Sequence, residues 1–282
     1  MDPNHSLVTY FNMLNCDNMN FKYNEFDLIL GGGGLRGYYH IGLCKILKYY
    51  ETKKQIKIRN IIGVSAGAIS AITYACSLDD DLWIKSYYQI KKLNNIYDLD
   101  IAVIEVIKNI LPKDAYLLCT KKIKIGLSKL TLFGFQETYI DKFDSNEHLL
   151  NVLSAAIKIP FFTTSSIFGQ TINNYIYYDG FLTNNVLPIV YNNDIPQLVI
   201  DTQKIIYPGY LSLVPVDSFI ELLVIRGFYE SLQFFNEEHT DDVLFPLKWL
   251  KKDTPRKLNI IQRNLHIIIP AVFYFILSKF NQ

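Results

Sequence analysis

The sequence predicts an α/β fold with a mainly parallel central sheet. Two short apolar runs, around Leu28 and around Ile62, each end in a glycine-bearing turn. Each turn opens into a segment whose apolar residues recur at helical spacing, so a strand-turn-helix unit occurs twice in succession. No low-complexity linker divides the rest of the chain. In sheets of this kind, sites gather at the carboxyl ends of the strands.

Residues 1–24 are polar, with Asp2, Asn4, Asn12 and Asp17, and lack the basic-then-apolar order of a secretory signal. They are expected to be a tail or packing arm before a single domain over 25–282, with its motifs in 25–190 and a helical and apolar part in 191–282. Residues 26–30 read as a buried strand, and 37–50 as a helix with Ile41, Leu43, Ile46, Leu47 and Tyr50 on one side. Residues 59–64 form the second strand and 66–72 a small-residue helix. Residues 79–115 are helical in spacing, with Trp83, Tyr87, Ile90, Ile101, Ile104 and Ile107, and end at Pro112. Residues 121–140 alternate as two strands, turning near Gly126 to Lys129 or at Gly134. A short helix over 149–157 is stopped by Pro160, a strand over 175–178 runs into Asp179, and helical spacing returns over 218–237. The apolar run 265–277 contains Pro270 and is shorter than the ~20 residues of a membrane span, so it reads as a buried strand or helix in preference to an interfacial membrane helix.

A hydrophobic content of 50% supports a large core. Lys and Arg number 28 against 27 Asp and Glu, and the formal charge of +1 gives no global field for nucleic acid. Cys16, Cys44, Cys76 and Cys119 contain no C-x-x-C pair, so neither a zinc site nor a disulfide framework is expected. The expected location is intracellular, in the cytoplasm or peripherally on a membrane.

Three places can carry chemistry. GVSAG, from Gly63 to Gly67, matches the G-x-S-x-G nucleophile elbow, in which flanking glycines let strand and helix approach while the serine is forced onto a strained turn. The run GGGGLRG, from Gly31 to Gly37, fails as a nucleotide loop. The acidic residue at roughly the right distance, Glu51, precedes Lys53 and Lys54 rather than closing a strand, and no G-K-[ST] comes after the run. What remains is a loop of inward N–H groups at a helix N-terminus, suited to an anion or to the oxyanion of acyl transfer. Tyr178-Asp179-Gly180 puts a carboxylate at a strand end, where it serves as a turn former or as the base a serine needs. Of the histidines His5, His40, His148, His239 and His266, only His239 and His266 have the chain order of a Ser-Asp-His triad, and neither lies after a convincing strand.

Together these residues resemble the patatin-like phospholipase family. Gly32-Gly33-Gly34-Leu35-Arg36-Gly37, continued by Tyr38 to Gly42, resembles its oxyanion block, and GVSAG its serine block. Ser154 to Phe162 resembles the small-residue and proline segment before the aspartate strand. Asp179-Gly180, with Asn184, Asn185 and Pro188, resembles the D-G-[GA] block, although Phe181 stands where a small residue is usual. The resemblance implies a three-layer α/β/α fold and a lipid acyl hydrolase, phospholipase A-like, using a Ser-Asp dyad without histidine, metal or cofactor. It implies Ser65 as nucleophile, Asp179 as base, Gly33 and Gly34 as oxyanion donors, and Gly32, Arg36 and Gly37 as loop support. The expected partners are a glycerolipid substrate and a membrane surface, and no nucleic acid. Trp83, Tyr87, Tyr88, Phe133, Phe135, Phe161, Phe162 and Phe168 are candidates for an acyl channel or plain core, and Lys121, Lys122, Lys124 and Lys129 for a lipid-facing patch or a solvated face. The alternatives are an acyltransferase, a Ser-Asp-His hydrolase, or a lipid-binding scaffold impaired by Phe181.

Overall fold

The computed structural model describes residue 19 and residues 21–78, 99–184, 195–205, 217–236 and 246–250. Among these, one eight-stranded sheet runs in the order β5-β6-β3-β2-β1-β7-β8, with β4 paired to β3 off that path. Its central strands β3 (Ile123–Thr131), β2 (Lys57–Val64), β1 (Glu25–Leu30) and β7 (Gln197–Ile200) are mutually parallel. The antiparallel strands β4 (Gly134–Ile140), β5 (Gln170–Ile172), β6 (Tyr175–Asp179) and β8 (Leu247–Leu250) flank them. The central strands are apolar on both faces, as a sheet buried on both sides requires.

One face carries the main core. Phe26, Leu28 and Leu30 of β1 pack with Ile61 of β2 and Ile123 and Ile125 of β3. Onto them fold α1 (Tyr38–Thr52), α2 (Ala66–Ala75), α5 (Asn146–Ala156) and α7 (Asp217–Asn236), through Leu43, Leu47, Ile72, Leu153 and Val224 among others. The opposite face buries Ile29, Ile62, Val199 and Leu250. Helices α1 and α7 cross with their backbones in contact: a side chain at Gly42 would strike the Val224 carbonyl, and one at Gly227 the Tyr39 carbonyl. Tyr39 spans the crossing and donates its hydroxyl hydrogen to Glu230 at 2.8 Å.

Several expectations change in detail. The helical stretch 79–115 contains α3 (Leu99–Lys108) and α4 (Ala115–Cys119), with Pro112 in the bend between them, while 79–98 lies outside the described residues. The chain reverses at Gly134, where φ is +108°, and Gly126 is inside β3. The arm begins to pack at its end, where Phe21 meets Tyr50 and Phe235 with ring centroids 4.9 and 4.5 Å apart. Cys76 and Cys119 are free thiols with sulfurs 3.7 Å apart. Residues 265–277 lie outside the described residues, and no described helix is long and apolar enough to cross a membrane.

Candidate active site

The site arises from how β3 is shared. Residues 123–126 pair with β2 in parallel, residues 127–129 pair with β6 antiparallel, and β4 occupies the other edge. β2 and β6 therefore run head-on along one edge of β3. Val64 ends opposite Gly126 and Asp179 opposite Leu127. The two strand ends fit because both nearby residues are small: a Cβ at Gly180 would lie 2.6 Å from the Gly126 carbonyl oxygen, and one at Gly126 would lie 2.6 Å from Val64. Residues far apart in sequence, Ser65 and Asp179, are thereby brought together.

Ser65 has φ 54° and ψ −126°, a left-handed conformation costly for a non-glycine residue, and caps α2 with its side chain half-exposed. The elbow is held by close backbone contact, since a side chain at Gly63 would strike the Gly67 carbonyl and one at Gly67 the Leu30 carbonyl. This second contact puts the elbow directly against the start of the glycine run. Gly37 closes the same interface, where a Cβ would come within 2.7 Å of Ala66.

Within the run the four glycines differ. Gly31 and Gly32 are buried, Gly33 and Gly34 are half-exposed beside the elbow, and only Gly34 needs positive φ, at 59°. The loop turns into a short 3-10 helix, Gly34–Gly37, in which the Arg36 N–H donates to the Gly33 carbonyl at 3.2 Å. The Gly31 N–H donates to Ile200 of β7, and the hydroxyl of buried Thr202 donates to the Gly32 carbonyl. In a trans peptide the N–H points opposite to the C=O. Thr202 thus fixes the Gly32–Gly33 peptide so that the Gly33 N–H faces away from it.

Asp179 is fully buried, at 0% exposure. Its N–H donates to the Lys158 carbonyl at 3.1 Å, and its carbonyl accepts from the Ser128 hydroxyl at 2.8 Å. Ser128 is in turn 2.8 Å from the Thr183 hydroxyl. Carboxylate Oδ1 accepts from the Phe181 N–H at 2.8 Å, while Oδ2 is buried without a hydrogen-bond partner. Burial pushes the carboxyl up to about 7, opposed by the neighbouring Ser65 hydroxyl and by the Phe181 N–H. The serine hydroxyl thus stands close enough to act on the carboxylate.

Phe181 offers Asp179 its backbone N–H at the start of the short helix α6 (Phe181–Asn184). Asn185 and Pro188 lie outside the described residues, as do Trp83, Tyr87, Tyr88, His5, His239 and His266. His40 is buried on α1, its Nδ1 3.1 Å from the Ser70 hydroxyl, and burial lowers its pKa to about 3. His148 sits beside Asp144, Nδ1 to Oδ2 3.3 Å. Glu51 accepts from the Tyr74 hydroxyl at 3.0 Å and from the Ile58 N–H at 3.2 Å, a structural role at the end of α1. Phe133, Phe135 and Phe168 are exposed, whereas Phe161 and Phe162 are half-buried. The four lysines lie just before and along β3. Lys121 and Lys122 precede β3 at the end away from Ser65, Lys122 holds the Ile58 carbonyl and lies 3.6 Å from Glu51, and Lys129 lies over the Tyr175 ring.

Thr202 and Ser128 were not legible as site residues. The readable signal for Thr202 was the apolar run of β7 ending just before it, a third strand-then-loop unit. For Ser128 it was a hydroxyl on an otherwise apolar stretch of strand.

The model of the patatin-like phospholipase family matches residues 28–190, more than half of the chain. The chain belongs to the patatin-like phospholipase family. That family's three-layer α/β/α fold accounts for a sheet apolar on both faces, and the match spans the glycine loop, elbow and aspartate turn. This patatin-like chain is 24% identical over 171 residues to mouse (Mus musculus) 1-acylglycerol-3-phosphate O-acyltransferase Pnpla3, covering 57% of this chain and 40% of that protein. It is also 24% identical over 171 residues to human (Homo sapiens) patatin-like phospholipase domain-containing protein 5, covering 57% and 39%. The chain spans about two fifths of the length of the curated relatives it matches.

Proposed function

We propose that this protein is a serine lipid acyl hydrolase that cleaves fatty acyl esters of membrane glycerolipids at a membrane surface through Ser65 and Asp179. The observation that carries the reading is the head-on approach of β2 and β6, which leaves a strained serine beside a buried carboxylate raised to about 7. A base working near neutral pH is best matched when its pKa lies near 7. Ionised Asp179 takes the Ser65 proton on Oδ2 as Oγ attacks the ester carbonyl. The oxyanion forms against the N–H groups of Gly33 and Gly34, with Gly32, Arg36 and Gly37 keeping the loop in shape. Collapse breaks the ester bond, and Asp179 returns the proton to the departing alcohol. Water then attacks the acyl-enzyme, with Asp179 again taking a proton and Ser65 leaving with it, which frees the fatty acid.

A second reading is supported by the activity that the mouse relative's name states. If the hydroxyl of a 1-acylglycerol-3-phosphate replaces water in the second half-reaction, the same chemistry is acyl transfer. Purified protein given a mixed phospholipid panel, with and without that acceptor, separates the two by mass spectrometry: free fatty acid for hydrolysis, diacylated acceptor for transfer. Both products should vanish in Ser65→Ala and Asp179→Asn, and a fluorophosphonate should label the wild type but not Ser65→Ala. Folded protein that yields neither product and takes no label would reject the enzyme reading in favour of a lipid-binding scaffold.

A further inference from the structure

We infer that the β3–β4 hairpin, through Leu132 and Phe133 at its tip, inserts into the phospholipid bilayer and sets the candidate site against it. The inference rests on the lipid-acyl reading and names the element that meets the lipid surface.

Topology puts the hairpin on the side of the site. β3 passes the level of Val64 at Gly126 and continues to Thr131, about 17 Å further at ~3.3 Å per residue. It continues in the direction of the carboxyl ends of β1 and β2, from which the glycine loop and Ser65 also project. Whatever meets that side of the molecule meets the hairpin.

The chemistry of the tip is that of a buried surface. Leu132 and Phe133 are 99% and 100% exposed, though turn positions ordinarily carry polar residues. The turn does not need these side chains. It is closed by the Thr131 hydroxyl, which donates to the Gly134 carbonyl at 2.7 Å and accepts from the Phe133 N–H at 3.2 Å. Just behind the tip, Leu130 and Phe135 face each other across the two strands and are also exposed. Phe135 stacks edge-on against Tyr178, centroids 5.3 Å apart, next to Asp179.

The shape selects the occupant. An aromatic residue buries 150–250 Å² at most, so a two-residue convex tip offers about 400 Å², half of the ~800 Å² per partner that a stable protein interface needs. A bilayer accepts a convex apolar tip without a complementary pocket, to a depth of about 5–10 Å. The two tip residues are uncharged, so the insertion is apolar rather than anionic-lipid driven.

The test uses the full chain and sucrose-loaded phosphatidylcholine vesicles, with and without phosphatidylserine, at low and high salt. Wild type should sediment with both vesicle types at both salt concentrations. The double variant L132S/F133S should partition about tenfold or more weakly while hydrolysing a soluble short-chain ester at the wild-type rate. Equal partition of variant and wild type, wild-type binding confined to anionic vesicles at low salt, or a change of oligomeric state without vesicle binding would each overturn the inference. Should the double variant also lose soluble-ester hydrolysis, Phe133→Trp decides: extra fluorescence over wild type that brominated acyl chains quench supports insertion, and its absence refutes it. Normal hairpin-dependent sedimentation by a wild type that cleaves no ester would keep the docking and reject the acyl-hydrolase reading.

Discussion

Asp179 answers to two opposing demands in the proposed reaction, since burial favours its neutral form and general-base work needs its charge. With the carboxyl raised to about 7, kcat/KM for a soluble ester should climb with pH and level off above an inflection near pH 7. Replacing it by asparagine should lower the rate by about 10²–10⁴-fold. The same replacement should stabilise the fold at pH 8. The native carboxyl holds its proton up to about 7 and the unfolded one loses it above ~3.9, so this group's contribution to stability falls as pH rises between those values. Asparagine removes that loss, on the order of a few kcal/mol, readable in urea midpoints at pH 8 against pH 4. Thr202 acts one step further out, through the peptide that presents the Gly33 N–H. Thr202→Val should lower kcat about tenfold with little change in KM, a fraction of the 10²–10³ lost with a whole oxyanion donor. Thr202→Ser should restore it, which a loss of packing alone would not predict.

Between elements, the contacts that matter are backbone on backbone. Helices α1 and α7 touch at Gly42 and Gly227, so Gly227→Leu has no room beside the Tyr39 carbonyl. It should cost about 1–3 kcal/mol or more in chemical denaturation, as overpacking does. Because α1 leads out of the glycine loop, fluorophosphonate labelling of Ser65 should slow in the same variant. The strand-turn-helix units were legible because short continuous apolar runs, glycine turns and helical spacing are local properties of the chain. β7 and the short strands β5 and β8 were not, since four or fewer residues carry too little pattern and owe their strand form to a neighbour's edge. Gly126 looked like a turn because a lone glycine reads as a break. In the fold it is the gap into which two opposing strand ends fit.

Stability against pH is a property of the whole molecule, and buried His40 and Asp179 contribute to it in opposite senses. Burial lowers His40 to about 3, so its native form stays neutral while the unfolded imidazole protonates below ~6.5. Its contribution is complete above 6.5 and is lost as pH falls toward 3. Asp179 has the reverse slope between about 4 and 7. From pH 4 to 6.5 the two cancel. In Asp179→Asn the falling contribution of Asp179 is gone, so stability should rise with pH more steeply than in the wild type across that window, by up to about 1.4 kcal/mol per unit more. A variant with the wild-type slope would mean that Asp179 is not raised in the fold.

The sequence by itself determined the fold class, the family blocks, the elbow around Ser65 and the candidate residues Gly33, Gly34 and Asp179, because each rests on residue types at short, fixed spacing. Only the tertiary structure decided which of them meet. The edge of β3 shared by β2 and β6 joins Ser65 to Asp179, Thr202 reaches back to the glycine loop from a later strand, and burial tunes the carboxylate. It also placed Phe133 and Phe135 on an exposed hairpin. Long-range register and solvent exposure arise from pairings between distant segments, and no local pattern of residues encodes them.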